Sequence, residues 1–265
     1  MKMRSRSAVW AGFAASVAMV LGACDSNVGL DTIDDVAIRD MALVAADATL
    51  EDVNAMGRSF GFRSVTGGIP SLEGQHPSGR PGGHHGFGTD GSGTTVEVFF
   101  DEANGPQDEY DELTTERIDV ETVVDGEVSR EDWTAMVHRQ RQVTVTGLAG
   151  GETHRTYNGG GASDVSGSKH TDQGDRVYDM SGSFSYSEVV VPVPGSDPRY
   201  PISGTITRSM SSTRTDAEGT EARSMDMTVT FDGDETATVV VNGVTMEIDL
   251  SAREGRRPMR GRFGG

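Results

Sequence analysis

The sequence predicts a mainly β protein, an antiparallel meander of about eight strands in a curled or barrel-like sheet, preceded by one N-terminal helix. Three observations carry that prediction. From Thr94 to Leu250 apolar and polar residues alternate with period two, segment after segment. Turn dipeptides punctuate the alternation, Asn242-Gly243 most clearly. A single stretch with helical spacing lies ahead of the strands.

That stretch is 34–57. Val36, Ala37, Met41, Val44, Ala45 and Ala48 recur at helical spacing, with Asp40, Asp47 and Glu51 elsewhere on the wheel. Asp34 or Asp35 can cap its start and Gly57 can end it. Residues 58–93 break every period, with Pro70, Pro77, Pro81 and the run Gly82-Gly83-His84-His85-Gly86. They read as a Gly/His/Pro-rich flexible segment. The β domain is expected over 94–252. Val96, Val98 and Phe100 share one buried face, as do Ile118, Val120 and Val124. Trp133, Ala135, Val137, Val143 and Val145 keep one parity. So do Tyr178, Met180, Phe184 and Tyr186; then Ile202, Ile206 and Met210; then Met225, Met227, Val229 and Phe231. The opposite face is rich in Ser and Thr, which suits an antiparallel sheet with one wet face.

Turn chemistry proposes pairings. Asn242-Gly243 as a two-residue turn pairs Val241 with Val244, Val239 with Met246 and Ala237 with Ile248. At Asp232-Gly233 a two-residue turn sets apolar rows on opposite faces. A three-residue loop, Asp232 to Asp234, keeps them together and pairs Val229 with Ala237. Asp125-Gly126 reads as a hairpin pairing Ile118 with Trp133. Asn158-Gly159 and the segment Pro192 to Pro201 read as further connections. A strongly twisted sheet must curl, close or cover its apolar face, and the helix is the available cover.

The N-terminus carries the clearest functional signal. Lys2, Arg4 and Arg6 precede an uncharged run from Ala8 to Leu21, too short to span a bilayer as a helix. Leu21-Gly22-Ala23-Cys24 follows, and it resembles the lipobox of bacterial lipoproteins. That resemblance implies a signal peptide over 1–23, cleavage before Cys24, acylation of Cys24 by more than one fatty-acid chain and a tether over 24–33. It places the protein in the bacterial cell envelope, lipid-anchored to a membrane on its periplasmic or outer face. Cys24 is the only cysteine, so no disulfide can form within the chain. The body resembles β-rich lipoproteins of unknown function from environmental bacteria. Asp111-Glu112-Leu113-Thr114-Thr115, Thr146-Gly147-Leu148-Ala149-Gly150 and Tyr157-Asn158-Gly159-Gly160 carry the likeness. It implies a fold and a location, not an activity.

The formal charge is −18, and loss of Lys2, Arg4 and Arg6 with a leader makes it three charges more negative. Such a body repels nucleic acid. Candidate sites are sparse. Gly57-Arg58-Ser59-Phe60-Gly61 matches G-x-S-x-G, but it follows a helix instead of leading from a strand into one. His76, His84 and His85 offer imidazoles for zinc, copper or nickel without a supporting frame. His138, His154 and His170 lie in or near strands and read as solvent-face residues. Asp101, Glu102, Asn104, Asp108, Glu109, Asp111 and Glu112 surround Gly105, yet the spacing fails the EF-hand pattern. Arg253, Arg256, Arg257, Arg260 and Arg262 form a basic tail over 253–265.

These residues point to a lipid-anchored, non-enzymatic binding or structural module with no cofactor. An apolar ligand is the expected guest if the sheet encloses one. The rivals are an envelope hydrolase using Ser59 or an acid pair, and a metal-scavenging lipoprotein using His76, His84 and His85.

Overall fold

The computed structural model describes residues 33–57, 89–130, 132–193 and 196–251. One helix, α1 (Val36–Gly57), precedes β1 (Thr89–Asp101), β2 (Pro106–Gln107), β3 (Thr115–Arg130), β4 (Trp133–Thr146) and β5 (His154–Thr171). The chain continues through β6 (Gly174–Pro192), β7 (Ser203–Asp216), β8 (Gly219–Thr230), β9 (Thr236–Val241) and β10 (Val244–Asp249). All ten strands form one antiparallel sheet in the order β10-β9-β8-β7-β6-β5-β4-β3-β1-β2. It is a meander, as expected, with two strands more than the alternation separates. It is open, with β10 and β2 at its edges.

The helix lies on one face of this sheet, nearest β6, β7 and β8. Its start is capped by Asp35, whose Oδ1 accepts from the backbone N–H of Ala37 (3.0 Å) and Ile38 (3.2 Å). No residue from Asp35 to Gly57 is exposed. Met41, Ala42, Ala45, Ala46, Leu50, Val53 and Met56 are buried against the sheet in one core with Tyr157, Tyr178, Phe184, Ile206, Met225, Met227 and Val239. Small residues at 42, 45 and 46 let the helix approach the strands closely. The polar residues expected on the free side of the wheel are not all there, since Asp40 is buried too.

The sequence-derived faces hold for β3, β4 and β6 to β10; β5 is a strand the alternation does not separate. The Asn242-Gly243 hairpin has every expected pair: Val241 with Val244, Val239 with Met246 and Ala237 with Ile248. Six expectations need correction. Val229 pairs with Val239, not Ala237, so the connection after Phe231 is longer than three residues although the face is right. Asp125-Gly126 lies inside β3, Ile118 pairs with Val145, and the turn comes after Arg130. Asn158-Gly159 lies inside β5, at a shift of register against β6. β1 reaches back to Thr89, into the segment 58–93, and Ile33 at the end of the expected tether is already buried. In β1 the inward residue is Phe99, opposite Ile118, while Val96 and Val98 are exposed. Pairing with β3 fixes which face of β1 turns inward, and alternation within β1 alone cannot.

Candidate functional site

The inner face carries charge as well as hydrocarbon. The row of inward residues on β4 runs from Trp133 to Val145 and includes Arg139 and Arg141. On β7 it includes Arg208, between Ile206 and Met210. The neighbouring rows place Lys169 on β5, Arg176 on β6, Arg214 on β7 and Arg223 on β8. Opposite them α1 supplies carboxylates.

Asp52 is the centre of the largest cluster and is fully buried. Arg139 Nη2 donates to both of its oxygens, at 2.6 and 2.8 Å. Arg208 Nη2 donates to Oδ2, and Arg141 Nη1 stands 3.4 Å from Oδ1. Arg208 Nε also donates to Thr49 Oγ1 at 3.0 Å, and Thr49 in turn donates to the carbonyl of Ala45 at 2.8 Å. The Phe184 ring lies between two guanidiniums, 4.6 Å from that of Arg139 and 5.0 Å from that of Arg208. Gly161 makes room for this stack. A Cβ there would come within 1.9 Å of the Gln140 carbonyl and 2.7 Å of Phe184 Cζ.

A second cluster forms one helix section earlier. Asp40 accepts from Tyr178 Oη and from Lys169 Nζ at 2.6 Å, with Arg176 Nη1 at 3.8 Å. Nearer the helix start, Arg223 Nε donates to Asp35 Oδ2 at 2.5 Å. At the other end, Tyr157 Oη donates to the Met56 carbonyl at 3.1 Å, satisfying one of the free carbonyls of the last turn.

Electrostatics follow from this packing. Burial alone pushes the Asp52 pKa up, but Arg139, Arg208 and Arg141 outweigh it and hold the carboxyl below its usual range. Burial raises Glu51, with only partial relief from Arg139. Burial pulls Arg208 down, against the pull of Asp52. Burial first and Asp52 second push the Tyr186 hydroxyl up; it lies beside the carboxylate but outside hydrogen-bond geometry. Tyr157 is pushed up to about 12, chiefly by burial. Asp52 therefore stays ionised, and Arg139, Tyr157 and Tyr186 stay protonated, across the neutral range. Asp52 is thus a charged counter-ion shared by three guanidiniums.

The residues singled out from sequence are scattered. Half-buried His138 and exposed His170 lie on the outer face, each 2.7 Å from its own aspartate, Asp125 and Asp175. His154 meets Thr153 at 2.8 Å. In the acidic loop Asp101 Oδ1 accepts from Gly105 N at 2.7 Å, and Asp111 Oδ1 from Leu113 N at 2.8 Å, so these carboxylates shape turns. Among the described residues no three His, Cys, Asp or Glu gather as metal ligands. Cys24, Ser59, His76, His84, His85 and Arg253 to Arg262 lie outside the described residues.

In the sequence Arg139, Arg141 and Arg208 stand as gaps in apolar rows, which hides the Asp52 cluster. The signal was there: an arginine at the inward parity of a strand, between buried neighbours, needs a buried acid. The inner face offered to an apolar ligand is covered by α1 across β6 to β8. The chain matches no family model, and no curated protein or solved structure is detectably similar to it.

Proposed function

We propose that this chain is a lipid-anchored cell-envelope protein acting as a non-enzymatic structural or binding module, with Cys24 as its acylated N-terminus. The observation that supports the structural part is the Asp52 cluster. The most concentrated charge on the inner face is spent on seating the protein's own helix. A guest or substrate on that face competes with α1, whose buried Met41, Leu50, Val53 and Met56 each contribute about 1.5–3 kcal/mol. The succession of basic stretch, apolar run and lipobox-like tetrad in the sequence supports the anchor. The acidic body disfavours nucleic acid as a partner.

Two measurements test the reading. Cys24→Ser is expected to abolish incorporation of a fatty-acid probe and release the protein from membranes; unchanged partition removes the anchor. For the body, Asp52→Asn is expected to lower stability. A buried charge kept for chemistry generally costs stability, so a more stable variant reverses the structural assignment.

A further inference from the structure

We infer that on its membrane the molecule stands on the end carrying the β3–β4, β5–β6 and β7–β8 hairpins, its long axis pointing away from the lipid surface. This rests on the reading of Cys24 as the acylated residue and adds an orientation to it. The helix begins at that end. Asp35 binds Arg223, four residues from the start of β8, and Asp40 binds Lys169, two residues from the end of β5. Ile33 is already packed in the core. Residues 25–32 alone separate it from Cys24, a path of at most about 30 Å at roughly 3.3–3.6 Å per residue. The long strands are about 45–60 Å at roughly 3.3 Å per residue. The opposite end, with the β4–β5, β6–β7 and β8–β9 connections, is therefore beyond the reach of the tether unless the body lies on its side.

The broad outer side formed by β4 to β8 has nothing to lie on; exposed Val96 and Val98, with Arg117 over Phe100, are confined to the β1 edge of the sheet. Among the described residues, every Lys and Arg of β4 to β8 sits at an inward position: Arg139, Arg141, Arg155, Lys169, Arg176, Arg208, Arg214 and Arg223. The outer face of the same strands presents Ser and Thr with Asp164, Asp179 and Asp226, all three exposed. Met136 and Val177 are its exposed large apolar side chains and stand on different strands. That face is repelled by anionic headgroups and has no cation or apolar patch to hold it on neutral ones. The hairpin end is acidic as well, with Asp132, Asp172, Asp175 and Glu218 exposed. There the acyl chains supply the attachment. A body held at one end and repelled along its β4–β8 side points outward; the one rival pose, on the β1 edge, is the outcome that strong quenching at 149 reports.

The test uses the full-length acylated protein, in which Cys24 is consumed by lipid. Single variants Gln173→Cys, Glu218→Cys and Ala149→Cys carry a fluorophore, on phosphatidylcholine vesicles with a headgroup quencher and on the same vesicles containing phosphatidylglycerol. Quenching severalfold stronger at 173 and 218 than at 149, on both vesicles, is the expected result. Equal or stronger quenching at 149 on either vesicle, in protein that floats with the vesicles, overturns the orientation and leaves the anchor standing. The phosphatidylglycerol arm is the stringent one, because the arginines of 253–262 follow the far end of β10. Protein that takes up no fatty acid and does not float overturns anchor and orientation together.

Discussion

The two faces of the sheet differ in an unusual sense: the outer face is nearly free of cations and the inner face is lined with them. Outside, hydroxyls of neighbouring strands bond one another, Ser181 with Ser211 at 3.1 Å and Ser185 with Thr207 at 2.7 Å, and Ser209 bonds Asp226 at 2.7 Å. Inside, Arg139, Arg208 and Lys169 sit among Met, Val and aromatic side chains. The inner charges persist because α1 meets them with acids at the right height. Asp40 and Asp52 are twelve residues apart in sequence, about 18 Å along a helix. Buried ion pairs add little net stability over a well-packed apolar alternative, but an unmatched member is costly. Sliding α1 by one turn would strand Asp52 away from Arg208 and Arg139. The difference between the faces therefore teaches that the inner charges select one seating of the helix, while the outer hydroxyls serve only their own strands.

The largest break in that comparison should come from Asp52→Asn. It removes one charge without changing shape and leaves three guanidiniums short of their central counter-ion. The expected loss is about 3–5 kcal/mol in urea unfolding. A loss under about 1 kcal/mol would show that water reaches the cluster. Gly161→Ala tests the packing beneath the stack. Its Cβ meets Gln140 backbone, which cannot yield, so a loss of about 1–3 kcal/mol is expected, with altered near-ultraviolet dichroism from the displaced aromatic ring.

Acid should sharpen the contrast. The carboxyls of Asp52 and Asp35 have pKa values lowered in the folded protein. Burial works against both shifts; Arg139, Arg208 and Arg141 overcome it for Asp52, and Arg223 with the helix-start N–H groups for Asp35. A lowered folded pKa contributes stability that is present above the unfolded value, near 4, and lost as pH falls toward the folded one. Glu51, raised by burial, acts oppositely: its cost as a carboxylate is relieved when it protonates. Wild-type unfolding free energy should fall below about pH 4. The fall should be shallower in Asp52→Asn, as read from urea midpoints at pH 7, 4 and 3. Parallel curves would mean that Asp52 is not the main source. The smallest effect belongs to the outer face, where Ser185→Ala breaks the bond to Thr207 in contact with water. A change within about 0.5 kcal/mol is expected, and a larger one would give the hydroxyl rows a role in holding the sheet.

The elements were largely legible in the sequence and the registers only partly so. Alternation tells whether the numbers of two paired residues sum to an odd or an even value, not what that value is. Turning at Asp125-Gly126 and turning after Arg130 satisfy the same parity for β3 and β4, so the pattern could not choose between them. The strands chose the longer hairpin, which buries more. The connection after Phe231 shows the same ambiguity. Val229 against Ala237 and Val229 against Val239 put the same rows inside, and the observed pairing is the latter. Asn242-Gly243 escaped it because the turn dipeptide and the parity name the same pair.

What the sequence determined by itself is therefore what each residue's neighbours determine. The helix, the alternating strands β3, β4 and β6 to β10 and the wet face rich in hydroxyls follow from side-chain direction, which is local. The tertiary structure alone decided which side of β1 turns inward, where the hairpins close and which acid meets which arginine. Arg208 and Asp52 stand 156 residues apart in the chain. No spacing rule joins them; they meet because α1 packs on the inner face across β6 to β8, and a buried charge is stable there only beside its opposite.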